Sequence, residues 1–469
     1  MAAEKAIDTT PEDVPVILPE RQRRRLERRD LYERITSNGT ISAAVMVLAA
    51  VAAVIVANTD AYFAVHEFLT TPLILELRGF FQIALTPELI VNDFLMALFF
   101  LLVGIELKYE MTVGELTRPR RAMLPMLAAV GGVVVPAAIY AVVNREGAVQ
   151  GWAIPMATDI AFALGVLSLL GNRVPNGVRV FFTTLAIADD LLSIAAIALF
   201  YGHAPNLVWL MLAGLVTAVL ALLNATQHYH LRPYLLGGAA LWLCVFMSGI
   251  HATIAGVILA FCIPAKAGIR LNHLQTWLHD KLPDVMDKYD DDAHILGQHD
   301  FTHAALEVER IMHRVTPPLQ RMEHAISTFV NFFVLPVFAF VNAQVRLVGV
   351  DLHALLVDPV TLGTYLGMLL GKPVGIVGVT FLLVRAGVAE LPRRVTWQQM
   401  VGVGILGGIG FTMSILIAGL AFPAHPNEIL AAKSAILGGS VTAAVVGMAY
   451  MGAVCKKKPG KGKKAVAKV

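Results

Sequence analysis

A chain of 469 residues with 57% hydrophobic and only 15% charged side chains is far more apolar than a water-soluble protein of that length needs. Its formal charge of +3 is small, so the placement of the charges matters more than their sum. Three scattered cysteines, Cys244, Cys262 and Cys455, have no paired spacing and indicate neither a disulfide framework nor a zinc site.

Residues 1–20 mix Pro, Asp and Glu and read as disordered. The following RQRRRLERRDLYER (21–34) is basic and adjoins the first apolar run. A polar stretch of this kind is no secretory leader, so that run is expected to persist as an anchor. A membrane-crossing helix needs about 20 mainly apolar residues. Twelve runs approach that length, near 41–59, 91–112, 122–143, 151–171, 178–201, 206–224, 234–249, 251–264, 325–343, 361–385, 398–422 and 429–454. Between the first two, residues 70–88 alternate in the manner of a strand, which suits either a hairpin or an interfacial loop.

Charge orders these runs. Lys and Arg accumulate on the cytoplasmic side of membrane proteins. The basic 21–34 stretch and the KKKPGKGKK tail (456–464) therefore place both termini inside, with an even number of crossings. RPRR (118–121), NRVPNGVR (172–179), AKAGIR (265–270) and RRV (393–395) also read as inside, and the alternate loops are poorer in bases. The arginines of 21–34 would also meet anionic lipid, and orienting the first span accounts for them without any nucleic acid. The long polar segment 265–322 carries His273, His279, His294, His299, His303 and His313 beside the acidic run DKYDDD (287–292). It is expected to be a partly helical cytoplasmic insertion whose histidines add a pH-sensitive charge. Their spacing matches no strong zinc template. The expected organisation is a cytoplasmic basic, mostly disordered tail (1–38), transmembrane helices 1–8 (39–264), the insertion (265–322), helices 9–12 (323–455) and a basic cytoplasmic tail (456–469).

Asp189 and Asp190 sit near the centre of the apolar run VRVFFTTLAIADDLLSIAAIALFY (178–201). Each charge there costs about 2.5–3.5 kcal/mol even on a lenient insertion scale. Helical neighbours about 100° apart can both line one cavity, so cation or proton handling is the first expectation. Two other runs are interrupted: 151–171 by Pro155, Thr158 and Asp159, and 398–422 by GVGILGGIGFTMS (402–414). Each is the middle member of a three-run group, 122–201 and 361–454, and the charge-derived topology makes those groups inverted relative to each other. Glycines in apolar helices also serve close packing. Lys372 lies with apolar residues on both sides, 361–371 and 373–384. Snorkelling toward an interface is its plainer reading.

Five blocks closely resemble the bacterial NhaA-type sodium/proton antiporters: GWAIPMATDIAFALGVLSLLGNRVP (151–175), LAIADDLLSIAAIALFY (185–201), SGIHATIAGVI (248–258), LLGKPVGI (369–376) and GILGGIGFTMSILIAGLAF (404–422). The match runs in order along most of 38–453. The paired broken helices are not independent support, because NhaA is itself a known instance of that pattern. The resemblance implies an all-α polytopic membrane protein of the NhaA fold, with about 12 transmembrane helices, inverted repeats and two interrupted, crossing helices. It also implies an extracytoplasmic β-hairpin near 70–88 that joins two protomers into a homodimer. Asp190 would be the principal ligand of the transported Na⁺ or Li⁺ and a proton site. Asp189 would be its partner, sharing protons and cation or pairing with Lys372. Thr158 and Asp159 would lie beside the cation, Asp159 also compensating the positive half-helix ends and Lys372 the negative ones. Among plainer roles, Asp159 is equally suited to capping a helix, and Thr158 to bonding its own helix carbonyls.

Glu106 and Glu110 share a helix face, and with Glu323 and His324 they resemble the family's pH-sensing cytoplasmic cluster. A solvated, charged helix end is the plainer reading. Tyr109 stands where the family often has a base, and Ser327 where it often has a second histidine. The implied activity is electrogenic Na⁺(Li⁺)/H⁺ antiport across a bacterial inner membrane, with no cofactor and no enzymatic step. An intramembrane aspartyl protease would need its acids on different helices, and the GxGD motif is absent. A passive channel would favour rings of charge from several subunits. A carrier of organic anions would need a roomier pocket than an acid pair with Lys372 suggests.

Overall fold

The computed structural model describes residues 39–455 apart from 78–80, 118, 203–204, 267, 270, 313 and 393–394. The basic tails and His313 lie outside the described residues. The first helix, α1 (Gly39–Ala57), is followed by α2 (Ala61–Thr70) and an antiparallel hairpin of β1 (Leu73–Leu77) and β2 (Phe81–Leu85), in which Leu75 faces Ile83. The strand-like alternation at 70–88 is thus a hairpin. Next come α3 (Pro87–Thr112) and α4 (Pro119–Val143). The first broken span is a 3₁₀ segment (Val149–Met156), three non-helical residues, and α5 (Ile160–Leu169). The acid-bearing helix is α6 (Asn176–Phe200), followed by α7 (Leu207–Ala225), α8 (Leu231–Ser248) and the short α9 (Ile254–Cys262).

The insertion forms α10 (Leu271–Asp287) and α11 (His299–Met312), and α12 (Pro318–Asn342) re-enters the bundle. A short α13 (Leu352–Val357) leads to α14 (Pro359–Arg385). The second broken span is α15 (Trp397–Gly407) and α16 (Phe411–Ala421), bent by 44°, and α17 (Pro426–Val454) closes the chain. Within α14 the backbone widens to a π turn over Gly367–Gly371, immediately before Lys372 and Pro373. Pro373 has no N–H to offer the preceding turn, and one widened turn absorbs the missing bond.

Among the described residues ten helices are long and apolar enough to cross a membrane, and the bent pair makes eleven. The twelfth expected crossing, 251–264, contains only the nine-residue α9. Two features cut it short. Gly249 ends α8 in the left-handed conformation (φ 83°), and Ile263 is extended because it precedes Pro264. Hydrogen bonds nevertheless place the segment's ends on opposite sides of the bundle. His251 bonds the Tyr201 carbonyl and Asn206 N–H bonds the Ser248 carbonyl, tying one end to the α6–α7 connection. At the other end Leu319 N–H bonds the Pro264 carbonyl and Arg321 bonds that of Tyr229, beside the α7–α8 connection.

The core sits where the broken spans pass between α4, α6, α14 and α17. Helices α4 and α14 pack backbone to backbone at Gly131 and Gly375, where a methyl group on Gly375 would collide with the Gly131 carbonyl. Small residues permit that approach. Helix α7, by contrast, fully buries only Ala213 and Leu220, packs Trp209, Val216 and Leu223 partly against the core and exposes most of its other apolar side chains.

Candidate functional site

At the first break the chain runs extended through Ala157 and Asp159, which frees polar groups that a continuous helix would consume. Asp159 is the N-cap of α5: its Oδ1 accepts from Phe162 N–H at 3.0 Å. Its Oδ2 accepts from the Thr412 hydroxyl at 2.7 Å and from Thr412 N–H at 3.1 Å. One carboxylate therefore serves the N-terminal ends of two half-helices, α5 and α16, where backbone N–H groups lack partners and the dipole favours negative charge. The breaks are joined further by Asp159 N–H to the Ile409 carbonyl at 2.7 Å and by the Thr158 hydroxyl to the Gly407 carbonyl at 2.9 Å. Thr158 thus bonds the other broken span and not its own helix.

Lys372, 1% exposed, reaches this junction from α14. Its Nζ donates to Thr158 Oγ1 at 3.1 Å and to Asp189 Oδ2 at 2.6 Å. The lysine is therefore centrally paired and does not snorkel. Asp190, the next residue of α6, is equally buried at 1% exposure. Asp190 Oδ1, Asp189 Oδ1 and the hydroxyl of Ser193, one turn further along α6, have no hydrogen-bond partner. Asp190 lies within electrostatic reach of Asp189, Asp159, Glu106 and Lys372. Four of the expected residues, Thr158, Asp159, Asp189 and Lys372, are linked by hydrogen bonds either directly or through the second break, and Asp190 adjoins them.

Glu106 is half-buried on α3 and lies within electrostatic reach of Glu323 and Glu110. His324 is exposed on the same turn of α12 as Glu323. Lys108, between the two α3 glutamates in sequence, turns away to the end of α9, where it donates to the carbonyls of Ala260, Phe261 (2.7 Å) and Ile263.

Sequence reasoning missed Thr412, although it lies in the GFTMS stretch of the second break. It also missed a cavity of about 410 Å³ lined by Glu88, Asn92, Asp93, His251, Asn342 and Lys433, among others. Asp93 and Lys433 are intramembrane charges within the expected runs 91–112 and 429–454, and that alone was a usable signal. In the insertion, α10 and α11 are joined by Lys281 and Glu307 at 3.0 Å. The five described histidines are exposed, and among the described residues no cluster of three His, Cys, Asp or Glu is arranged for a resident metal.

A family model described as Na⁺/H⁺ antiporter 1 matches residues 33–451. A Na⁺/H⁺ antiporter NhaA from Oleidesulfovibrio alaskensis is 45% identical over 376 residues, 80% of this chain and 83% of that protein. One from Pseudomonas fluorescens is 40% identical over 432 residues, 92% of this chain and 98% of its own. One from Helicobacter pylori is 42% identical over 420 residues, 87% and 92% respectively.

Proposed function

The chain belongs to the Na⁺/H⁺ antiporter 1 family of multi-pass membrane transporters, and from that premise we propose electrogenic exchange of Na⁺ or Li⁺ for protons by alternating access. The observation that carries this reading is Asp190, a carboxylate sealed in the bundle with one oxygen unpartnered and a paired acid beside it. Na⁺ is a hard cation suited to carboxylate, hydroxyl and carbonyl oxygens, by analogy with Ca²⁺ and Mg²⁺. Two adjacent buried acids resist carrying charge together unless a cation or proton intervenes. Sodium and protons then compete for the same oxygens, and exposing those oxygens to each side in turn converts competition into exchange.

Asp190 is the principal cation ligand and carries one proton. Asp189 contributes through Oδ1, its other oxygen being held by Lys372. A cation that draws Asp189 away from Lys372 leaves the ammonium without its counter-ion, and the Asp189–Lys372 pair supplies a second proton. More than one proton per cation makes the cycle electrogenic, so the inward proton gradient expels sodium and controls cytoplasmic pH and salt. Thr158 and Asp159 hold the broken helices around the cation. Glu106, Glu110, Glu323 and His324 set the pH at which the cycle runs.

Both termini lie in the cytoplasm, a topology that counts α9 with its flanks as a crossing. The β1–β2 hairpin joins two copies of the chain as a homodimer, its outer edges offering unpaired backbone groups.

The decisive experiment reconstitutes the protein and Asp190→Asn in vesicles with an acid interior, then adds Na⁺, Li⁺ or K⁺ outside across a range of pH. Lumenal alkalinisation by Na⁺ and Li⁺, lost in the variant, is the expected result. No cation-driven proton movement at any pH would overturn the proposal.

A further inference from the structure

Ser193 is fully buried in the acid-bearing helix, and its hydroxyl has no hydrogen-bond partner. Hydroxyls elsewhere in these spans mostly bond a helix carbonyl, although Thr364 in α14 and Ser440 in α17, also buried, are likewise without a partner among the described residues. Thr184 in the same helix bonds the carbonyl of Val180 at 2.9 Å, and Thr380 in α14 bonds that of Ile376 at 2.7 Å. Thr217, Ser434 and Thr442 likewise use the carbonyl four residues back. That local bond is the ordinary way for a helix to satisfy a hydroxyl in an apolar setting. Ser193 forgoes it, although the Asp189 carbonyl stands at the matching position. Leaving a buried hydroxyl unsatisfied is costly, and Ser193, unlike Thr364 and Ser440, shares its helix with two buried acids that also carry unpartnered oxygens, which points to a partner outside the protein.

Its position says which partner. Ser193 is four residues after Asp189 and three after Asp190, the two spacings that place side chains on one helix face. Side chains on a helix lean toward its N-terminus, over the preceding turn, and here that turn carries both aspartates. Three buried oxygens without partners, Asp189 Oδ1, Asp190 Oδ1 and Ser193 Oγ, therefore belong to one and a quarter turns of α6.

We propose that Ser193 supplies a neutral oxygen ligand to the cation held at Asp190 and thereby sets the preference between Na⁺ and Li⁺. The proposal rests on the Asp190 reading above. A hydroxyl adds an oxygen without adding charge, so it strengthens cation binding without holding another proton. Ligand number and site size discriminate between hard cations. Li⁺ is smaller and takes fewer ligands than Na⁺, so losing this oxygen falls more heavily on Na⁺.

The test measures exchange in vesicles for wild type, Ser193→Ala, Ser193→Thr and Asp190→Asn, with Na⁺ and Li⁺ titrated separately. Ser193→Ala is expected to raise the half-saturating Na⁺ concentration about tenfold, the scale of one hydrogen-bond-strength contact to a charge. The Li⁺ value should rise less. Ser193→Thr, which retains an oxygen on the same Cβ, should restore the wild-type ratio of the two ions. If Ser193→Thr folds poorly, Na⁺-induced thermal stabilisation of detergent-purified Ser193→Ala against wild type gives the same comparison. Unchanged half-saturation for both ions, with Asp190→Asn inactive, would overturn the role of Ser193 alone. A shift in the pH profile without any change in half-saturation would overturn it too, since the hydroxyl would then serve the protonated acid. Exchange surviving in Asp190→Asn would remove the reading beneath it.

Discussion

The two broken spans look alike in the sequence, each an apolar run spoiled near its middle, yet they bring different things to their meeting point. The first contributes side chains: Thr158 and Asp159 carry the hydroxyl and the carboxylate. The second contributes mainly backbone, the carbonyls of Gly407 and Ile409 and the N–H of Thr412, exposed by a glycine-rich turn. A helix break in a membrane must find partners for the groups it frees. Here one break is the complement of the other, so neither needs a full set of its own. Lys372 completes the junction by bonding Thr158 on one side and Asp189 on the other.

This division of labour can be tested by removing its parts. The largest loss is expected from Lys372→Met, because it strips the counter-ion from a buried acid, a change that typically costs about 3–5 kcal/mol. Thermal unfolding in detergent should show it, and adding Asp189→Asn should recover much of the loss in a double-mutant cycle. Asp159→Ala removes the cap of two half-helices at once. At roughly 0.5–2 kcal/mol per cap, it should cost about twice what an ordinary single cap costs, whereas Thr412→Val should cost about 1 kcal/mol. Equal effects for the two substitutions would show that the breaks are not complementary.

A smaller disturbance is expected on the backbone side. A methyl group at Gly410 would press on the Ala157 carbonyl and on Ser414. Gly410→Ala should therefore destabilise by about 1–3 kcal/mol through overpacking, with the Lys372–Asp189 pair left chemically intact.

The smallest effect belongs outside the membrane and serves as a contrast. In the insertion, hydrogen bonds from Lys288 and Lys281 hold the Asp284 carboxyl below its usual range, and Glu307 with Asp284 holds Lys281 above its own. Asp284 therefore stabilises the α10–α11 hairpin above its unfolded pKa of about 3.9, and that contribution is lost as pH falls through its lowered folded value. Lys281 contributes below its unfolded pKa of about 10.4, and loses that contribution as pH rises through its raised folded value. Hydrogen exchange in the hairpin, corrected for intrinsic rates, should be slowest between those limits and faster at either end. Lys281→Ala should flatten the profile without altering half-saturation by Na⁺.

Part of the candidate site was legible because intramembrane charge is expensive: Asp189 and Asp190 announce themselves by residue type and setting, whereas Lys372 and the places of Thr158 and Asp159 beside the acids came from the family resemblance. The same rule applied to Asp93 and Lys433 would have pointed to the second cavity. What the sequence did not carry was pairing over distance. Nothing local connects Asp159 to Thr412, 253 positions away, or tells capping from cation contact at that carboxylate. Alternation marked 70–88 as strand-like but left hairpin and interfacial loop open, and only the resemblance pointed to the hairpin. The short α9 was not distinguishable from a full helix, because its apolar run continues through Gly249 and up to Pro264, where only backbone conformation marks the ends. Ser193 looked like one more small residue in an apolar run until its hydroxyl proved to be unpartnered beside the unpartnered oxygens of Asp189 and Asp190 on the same helix.

The hydrogen bonds that lock the breaks together, with one from the Ser414 hydroxyl to the Ile154 carbonyl at 2.7 Å added to those at Thr158 and Asp159, also decide where this molecule can hinge. Separating α5 from α16 would sever Asp159 from Thr412 twice, Asp159 from Ile409 and Thr158 from Gly407, all in surroundings where water cannot replace them. Any rearrangement that opens Asp190 first to one face and then to the other must therefore carry both broken spans as one rigid body. The sliding surfaces then lie at its periphery, and α14 stays tied to the moving body through Lys372 and Thr158.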